Sequence, residues 1–342
     1  MESENRIIVP SYYKDFHCIA DQCRHSCCVG WEIDVDEASY ARYQKVPGAV
    51  GDKLRRVISG SYDDASFEAD DASSGETPHF ELLGKEERCP FLTERNLCEL
   101  ILTLGEDSLC QICRDHPRFR NFVGNREEIG LGLCCEEASR LILSQTEPFR
   151  LIEKCDESYS PDALPSQKQP SSDPESHDFL LFRSRLFDIL SDRELSFTDR
   201  IDSMYEVIGI PASSIEIARW SAFLEELERL DSSWEEEISL LSGNTDIDYV
   251  DALGSTVSEN LLAYFLYRHL APAMDDGLWG PRVVLSVLFT ILLAALGEAH
   301  RLKDGALSFE TQVELARMFS SEIEYSDENV GRFLEEIVRL YF

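Results

Sequence analysis

The chain has 342 residues, with 32 Lys and Arg against 65 Asp and Glu, so its formal net charge is −33. This balance excludes a protein that binds nucleic acid through a general basic surface. Hydrophobic residues make up 43% and charged residues 28% of the chain, which indicates a folded globular protein long enough for two domains.

The N-terminus and the longest apolar stretch bear on where the protein resides. The chain opens with Met-Glu-Ser-Glu-Asn and has a short apolar run, residues 7–9, before Pro10, which is not the pattern of an export signal. The longest apolar stretch, residues 283–296, is shorter than the roughly 18 residues of a membrane span, so we predict a buried core helix there. We therefore expect a cytoplasmic protein without a membrane partner. Stable disulfides are rare in that compartment, so clustered thiols favour metal or redox chemistry.

The first predicted domain, residues 1–155, contains all eleven cysteines of the chain. Within it, residues 36–43 have the pattern of a helix capped by Asp36, and residues 136–143 that of a second helix. The polar residues 63–78 are predicted to form a mobile loop. Two further segments are predicted as short strands or irregular structure: 31–35 and 80–83. We expect a small irregular domain whose structure depends on its cysteines.

The second predicted domain, residues 179–342, follows a linker at 156–178 that is rich in proline and serine. Apolar residues recur at helical spacing in three of its segments: 179–190, 220–230 and 313–319. Pro281 is predicted to lie in the first turn of the apolar helix and Gly297 to end it. The fold class is therefore mainly α, a small irregular cysteine-rich metal-binding domain packed with an acidic α-helical bundle domain.

The cysteines fall into three groups whose short spacings suit a metal. These are Cys-x4-Cys-x3-Cys-Cys from Cys18, Cys-x8-Cys-x11-Cys-x2-Cys from Cys89, and a Cys-Cys pair at 134–135. Thiolates bind zinc and iron–sulfur clusters, and four of them suffice for one zinc ion or one [4Fe–4S] cluster. Cys134 and Cys155 are predicted to be packed thiols. The predicted metal ligands are Cys18, Cys23, Cys27, Cys28, Cys89, Cys98, Cys110, Cys113 and Cys135.

Other motifs are absent or incomplete. A radical-type iron–sulfur loop, C-x3-C-x2-C, would start at Cys23 and Cys27, but its third position is Gly30. The pair Gly130 and Gly132 lacks the third glycine of a dinucleotide-binding turn. No P-loop, G-x-S-x-G or H-E-x-x-H motif occurs. Histidines beside the cysteines could complete a mixed nitrogen–sulfur site, although a surface or core role is the commoner one: His17, His25 and His116.

Three motifs, CC-x-G-W at 27–31, CPFL at 89–92 and CR-x-x-PR at 113–118, resemble the flagellin lysine-N-methylase (FliB) family. The cysteine region is also loosely similar to the small zinc- or iron-chelating YkgJ-type proteins. The resemblance covers residues 6–155, and residues 259–268 are similar to a further family segment. It implies a cytoplasmic enzyme that transfers methyl groups from S-adenosylmethionine to lysines of flagellin. It also implies an iron–sulfur cluster, with Cys135 rather than Cys134 among its ligands.

Methyl transfer to lysine needs a neutral amine, which requires a carboxylate base or a desolvated site. The acids nearest the motifs are therefore the predicted catalytic residues: Asp34, Asp36 and Glu259. Aromatic faces attract cations, and arginine can clamp a carboxylate. The predicted cofactor-binding residues are Trp31, Tyr12, Tyr13, Arg114 and Arg118. The charge of −33 would steer a lysine-rich partner towards the protein.

Two other functions fit the same residues. The first is a zinc- or iron-chelating module without catalysis. The second is an adaptor for a basic protein partner, in which the metal only staples the loop-rich domain. The sequence also leaves open whether three cysteines expose one iron to the methyl donor or four close the cluster.

Overall fold

A computed structural model describes residues 6–62, 77–155, 158–159, 174–211, 215–249 and 252–342. Contacts divide the chain into two units, Cys18–His116 and a second one that joins Met1–His17 to Pro117–Phe342. This division differs from the predicted boundary after residue 155. Most of the predicted loop at 63–78 and of the predicted linker at 156–178 lies outside the described residues. Of the loop, the structure describes residues 77–78, and of the linker, residues 158–159 and 174–178.

The N-terminal segment joins the larger unit because it forms an inner strand of a sheet. The strands are β1 (Arg6–Pro10), β2 (Ile58–Ser59), β3 (His79–Phe80), β4 (Arg118–Val123), β5 (Arg126–Leu131), β6 (Leu151–Cys155) and β7 (Ser158–Tyr159). The sheet has five of them in the order β4-β5-β1-β6-β7, with β1 parallel to β5 and antiparallel to β6. A separate two-stranded ladder joins β2 to β3. Ile8 and Val9 of β1 are fully buried. The prediction of an irregular first domain missed this sheet, because β1 pairs with strands more than 100 residues away.

The Cys18–His116 unit has short helices around a small core. These are α1 (Glu37–Tyr43), α2 (Gly48–Val57), α3 (Glu99–Leu104) and α4 (Gln111–Asp115). Its buried core contains two aromatic side chains in edge contact, Phe80 and Phe91, with ring centres 5.2 Å apart. The predicted helix at 36–43 is confirmed as α1. The segments 31–35 and 80–83, predicted as short strands or irregular structure, contain two isolated bridges, Asp34–His79 and Leu83–Arg88, and part of the two-residue strand β3.

The larger unit is mainly helical beyond its sheet. Its helices are α5 (Glu136–Leu143), α6 (Pro174–Ser191), α7 (Phe197–Ile208), α8 (Ile217–Glu225), α9 (Ser232–Ser242), α10 (Ser255–His269), α11 (Ala273–Asp276), α12 (Trp279–Asp304), α13 (Phe309–Phe319) and α14 (Asp327–Tyr341). The bundle and the sheet share one core. Arg183 of α6 also donates two hydrogen bonds of 2.6 Å to Glu128 of β5, and both side chains are buried. The mainly α fold class is confirmed.

Helix α12 is the centre of the bundle. Among the described helices it alone is long and apolar enough to cross a membrane, and 89% of its most apolar stretch is buried within the protein. The predicted core helix at 283–296 and the first-turn position of Pro281 are therefore confirmed. The predicted end at Gly297 is wrong, since α12 continues to Asp304. Gly297 packs closely there: a Cβ atom would lie 2.8 Å from the Leu253 side chain and 2.9 Å from that of Leu307, so both leucines would have to shift.

The Gly130–Gly132 pair also has a packing role. Gly130 lies opposite Phe119 in the β4–β5 ladder, and a Cβ atom on it would lie 2.1 Å from the Phe119 ring. We expect Gly130→Ala to lower the free energy of unfolding by about 1–3 kcal/mol, because the ring has to move within a packed core. Gly331→Ala is the control, since a Cβ atom there meets no atom within 4 Å in helix α14. Urea titration measures the free energy of unfolding of both variants, and that of Gly331→Ala should be unchanged or higher. An equal loss of this free energy in both variants would contradict the packing role.

Candidate functional site

Six thiols come together within the Cys18–His116 unit, and we call them the thiol cluster: Cys27, Cys28, Cys89, Cys98, Cys110 and Cys113. The Cys27 thiol is hydrogen-bonded to Cys28, and the Cys28 thiol to Cys89. The Cys113 thiol is hydrogen-bonded to Cys110. Cys98 lies close enough to interact electrostatically with Cys27, Cys28 and Cys110. Segments that are distant in sequence therefore bring their sulfurs together.

Backbone contacts hold these segments in place. The N–H of Cys89 donates to the Cys28 carbonyl at 2.8 Å. The turn that follows Cys28 needs glycine, since Gly30 has a φ of +82°. Cys98 pairs with Leu92 in a short bridge and then caps α3, while Cys110 caps α4. Cys98 and Cys110 are therefore positioned at helix N-termini, and Cys28 by the turn at Gly30 and its bond to Cys89.

The contacts between sulfurs move their pKa values in opposite directions. The hydrogen bond to Cys28, with burial, raises the pKa of Cys27, and the hydrogen bond to Cys110, with burial, raises the pKa of Cys113. The accepting thiols shift the other way: the hydrogen bond from Cys28 lowers the pKa of Cys89, and the one from Cys113 lowers the pKa of Cys110. The mutual contacts of the sulfurs thus make Cys27 and Cys113 harder to deprotonate and Cys89 and Cys110 easier.

The donor set suits a soft metal. Thiolates bind zinc and the irons of iron–sulfur clusters, and the thiol cluster supplies more than the four that either needs. Within the described ranges, no group of three or more His, Cys, Asp or Glu side chains is arranged as it stands to hold a metal ion. The thiol cluster therefore matches a soft metal by ligand type alone, and its sulfurs are not arranged as a metal site in the described ranges.

For the other predicted ligands, the structure shows the following surroundings. Cys18 is exposed and its sulfur accepts the N–H of Ala20 at 3.4 Å. Cys23 donates its thiol hydrogen to the His25 carbonyl at 2.9 Å. Cys135 belongs to the larger unit, where it caps α5. The side chain of Cys155 lies outside the described residues.

The five predicted cofactor-binding residues are divided between the two units. In the Cys18–His116 unit, the Trp31 indole donates to the Cys27 carbonyl at 2.7 Å, and Arg114 donates to the carbonyls of Asp107 and Leu109. In the larger unit, Arg118 donates to the Tyr13 hydroxyl at 2.8 Å. Tyr12 is buried separately, and burial raises its pKa, so its phenol stays neutral. Within the larger unit, the structure thus pairs Tyr13 with Arg118.

The three predicted catalytic acids have different surroundings. Asp34 is exposed. Asp36 caps α1 and uses both carboxylate oxygens, one to accept the N–H of Ser39 at 2.9 Å and the other the N–H of Gln111 at 2.8 Å. Glu259 is buried in the larger unit and forms ion pairs of 2.9 Å with Arg193 and Arg200. The contacts of Asp36 and Glu259 favour a role in holding structure.

The cap at Asp36 makes stability depend on pH. Burial raises the pKa of Asp36, but the hydrogen bonds from Gln111 and Ser39 outweigh burial and leave it below the ordinary value of 3.8. The stabilisation is therefore present above about pH 4 and is lost as the pH falls through the lowered pKa. We expect Asp36→Ala to lower the free energy of unfolding by about 1–2 kcal/mol at pH 7. Urea titrations should show this difference shrinking below pH 4, and a difference that grows there would contradict the cap.

One further feature was not singled out from the sequence. Tyr12 lines a cleft together with Phe149 and Glu147, which lie in the loop after α5. The only signal for it in the sequence is a polar loop that ends in Pro148 and Phe149 directly after an amphipathic helix.

Fold and site together define a mainly helical protein that carries a separate thiol-rich unit. The family model for the FliB lysine N-methylase C-terminal domain matches residues 128–341, which is more than half of the chain. The chain therefore belongs to the FliB lysine N-methylase family. The match covers most of the larger unit and leaves out the thiol cluster.

Individual relatives carry related names. The lysine-N-methylases of Salmonella choleraesuis (strain SC-B67) and Salmonella typhimurium (strain LT2) are each 29% identical over 151 residues, 44% of this chain and 36% of the relative. The flagellar biosynthetic protein FliU of Salmonella muenchen is 28% identical over 151 residues, 44% of this chain and 85% of FliU. The chain thus spans 36% of the length of the two lysine-N-methylases. No solved structure matches the chain.

Proposed function

We propose that the protein is a cytoplasmic, S-adenosylmethionine-dependent lysine N-methyltransferase that acts on flagellin, and that its thiol cluster ligates an iron–sulfur cluster. The observation that carries the proposal is the match of residues 128–341 to the FliB lysine N-methylase family. The convergence of six thiols supports the metal centre. Zinc is the alternative occupant, because cysteine ligands suit both.

The proposed reaction is a direct displacement. The neutral Nζ of lysine attacks the methyl carbon of the donor, the carbon–sulfur bond breaks, and its electron pair stays on sulfur as S-adenosylhomocysteine. The nitrogen, now positively charged, returns to neutrality by releasing a proton to water or to a carboxylate. Because lysine is protonated at neutral pH, the protein has to lower the pKa of the amine by desolvation or accept its proton.

The charge of the chain supports a basic acceptor. A net charge of −33 attracts lysine-bearing segments at long range, and salt screens this attraction over about 8 Å at physiological ionic strength. The rate of methylation at low substrate concentration should therefore fall as salt rises. Flagellin is the acceptor we propose, since one relative is named a flagellar biosynthetic protein.

The test combines metal analysis with a methylation assay. Anaerobically purified protein is analysed for iron, zinc and acid-labile sulfide, then incubated with monomeric flagellin and S-adenosylmethionine. Each methyl group adds about 14 Da to a lysine-containing peptide in mass spectrometry. Iron, sulfide and methylated lysines are the expected result. Zinc without sulfide would exclude the iron–sulfur cluster, and flagellin that binds without gaining methyl groups would favour the adaptor.

A further inference from the structure

A groove lies between helices α8 and α14 of the larger unit. We call it the arginine groove, and the residues that matter most in it are Arg219, Phe223, Arg332, Glu335, Glu336 and Arg339. Lining residues recur every three or four positions along both helices, so each helix turns one face to the groove. The groove has a volume of about 490 Å³, within the roughly 300–1,000 Å³ of small-molecule sites, and it is open to solvent. It therefore has room for a small molecule and leaves that molecule accessible to a protein partner.

One carboxylate in this groove holds two guanidinium groups. Glu336 accepts a hydrogen bond of 2.8 Å from Arg339 and one of 2.7 Å from Arg219. Hydrogen bonds from these two arginines lower the pKa of Glu336 to about 2, so its carboxylate stays ionised. A single negative charge cannot neutralise two positive ones, and the side chains of Arg219 and Arg339 are 40% and 63% exposed. This part of the groove therefore has one positive charge left over.

A negative charge is left over beside it. Glu335 is exposed at the groove, and no cation lies within salt-bridge distance of it in the described part of the chain. The remaining pair, Arg332 with Glu226, is matched one to one at 3.2 Å. The groove thus presents a spare cation and a spare carboxylate. An α-amino acid group carries the complementary charges, because its carboxylate pairs with guanidinium groups and its ammonium group with a carboxylate.

The groove also has a flat floor. The Arg332 guanidinium lies over the Phe223 ring, with its central carbon 5.4 Å from the ring centre. The Phe223 ring is fixed from behind, since it meets the rings of Phe333 and Trp220 edge to face, with ring centres 4.9 and 5.4 Å apart. Purine bases stack on aromatic rings and on guanidinium planes. The floor therefore suits an adenine base.

We propose that the arginine groove binds the methyl donor S-adenosylmethionine. The two guanidinium groups on Glu336 hold the carboxylate of the donor, Glu335 holds its amino group, and its adenine stacks on the floor at Phe223. This inference rests on the proposed lysine methylation and adds to it the place where the donor binds. Both helices lie within residues 128–341, which match the family. The residues of the groove differ from the five that the sequence predicted for this role.

Isothermal titration with S-adenosylhomocysteine, which is the donor without its methyl group, tests the groove by binding. Ala222 is exposed and lines the groove, so Ala222→Trp should obstruct it and raise the Kd of this probe about tenfold or more. Glu335→Gln and Arg219→Gln each remove one charge and should raise the Kd about two- to fivefold, as expected for exposed ion pairs. Glu236→Gln, at an exposed glutamate in α9, is the matched control and should leave the Kd unchanged. The midpoint of thermal unfolding should stay within a few degrees in all four variants, because the substituted side chains are exposed.

A second probe separates the charged contacts from general effects. Methylthioadenosine keeps the adenosine but lacks the amino acid end, so Glu335→Gln and Arg219→Gln should leave its Kd unchanged, whereas Ala222→Trp should raise it. If both probes bind in this pattern but flagellin gains no methyl groups, the groove stands and the methylation proposal fails. If flagellin is methylated while Ala222→Trp leaves the Kd of S-adenosylhomocysteine unchanged, methylation stands and the groove is overturned. Absence of binding to the unsubstituted protein would also overturn the groove, and mass spectrometry of flagellin would then decide the methylation separately.

Discussion

Cys27→Ser and Cys113→Ser are each expected to lose most of the bound metal and to loosen the Cys18–His116 unit. Cys27 begins one hydrogen-bonded set of thiols, which continues through Cys28 to Cys89. Cys113 belongs to a second set, in which it is bonded to Cys110. Serine is nearly the same size, so the change removes a soft ligand without opening a cavity. Iron should fall from about four atoms per chain to below about one if a [4Fe–4S] cluster is bound.

The loss of metal should also be a loss of stability. Structural metal sites contribute on the order of 10 kcal/mol to folding, and this unit buries only a small apolar core. Limited proteolysis should therefore cut the unit faster in both variants than in the unsubstituted protein. The loss should be visible in the same anaerobic preparations in which iron and sulfide are measured.

Cys134→Ser is the matched control for these variants. Its thiol lies in the larger unit and is hydrogen-bonded to Tyr325, so its replacement should leave metal content unchanged. Full metal content in both Cys27→Ser and Cys113→Ser would contradict the thiol cluster as the metal site. Metal loss in Cys134→Ser alone would move the site to the larger unit, where Cys135 also lies.

Helices were the part of the fold that the sequence predicted well. The helices at 36–43 and 136–143 and the buried helix around residues 283–296 follow directly from caps and apolar spacing, which are local properties. Helix α12 continues past Gly297, where the glycine lies in close contact with Leu253, a residue more than 40 positions away. Packing of this kind is invisible in a single sequence.

The sheet and the division into units escaped prediction for the same reason. Residues 7–9 form a short apolar run without a turn signal, and nothing local indicates that they pair with both β5 and β6. The sequence did indicate which residue types gather: the cysteine groups at 18–28 and 89–113 both contribute to the thiol cluster. It gave no indication of the small cleft that Tyr12 lines together with a loop over 130 residues later.

Glu259→Gln should lower the free energy of unfolding by about 3–5 kcal/mol, the cost of leaving a buried charge without its partner. Glu259 is 2% exposed and binds two arginines, of which Arg200 is also buried. The substitution removes the negative charge and leaves Arg200 in the core. Urea or thermal denaturation measures the loss directly.

Two companion variants separate the contributions of the two ion pairs of Glu259, the one with Arg193 and the one with Arg200. Arg193→Ala should cost about 1 kcal/mol or less, because the Arg193 side chain is 42% exposed and water screens its pair. Glu259→Gln combined with Arg200→Met should recover part of the loss, because the stranded charge is removed and a similar volume is kept. A double variant as unstable as the sum of both single ones would contradict the ion pair as the source of the stability.

The same variants distinguish a structural Glu259 from the catalytic base that the sequence suggested. A base would make Glu259→Gln nearly inactive while the protein kept its stability. A structural carboxylate predicts the reverse: the remaining folded protein, assayed well below its unfolding transition, should methylate flagellin within about threefold of the original kcat, because only contacts to the reacting atoms change kcat strongly. Loss of kcat with unchanged unfolding would return Glu259 to the reaction as its base.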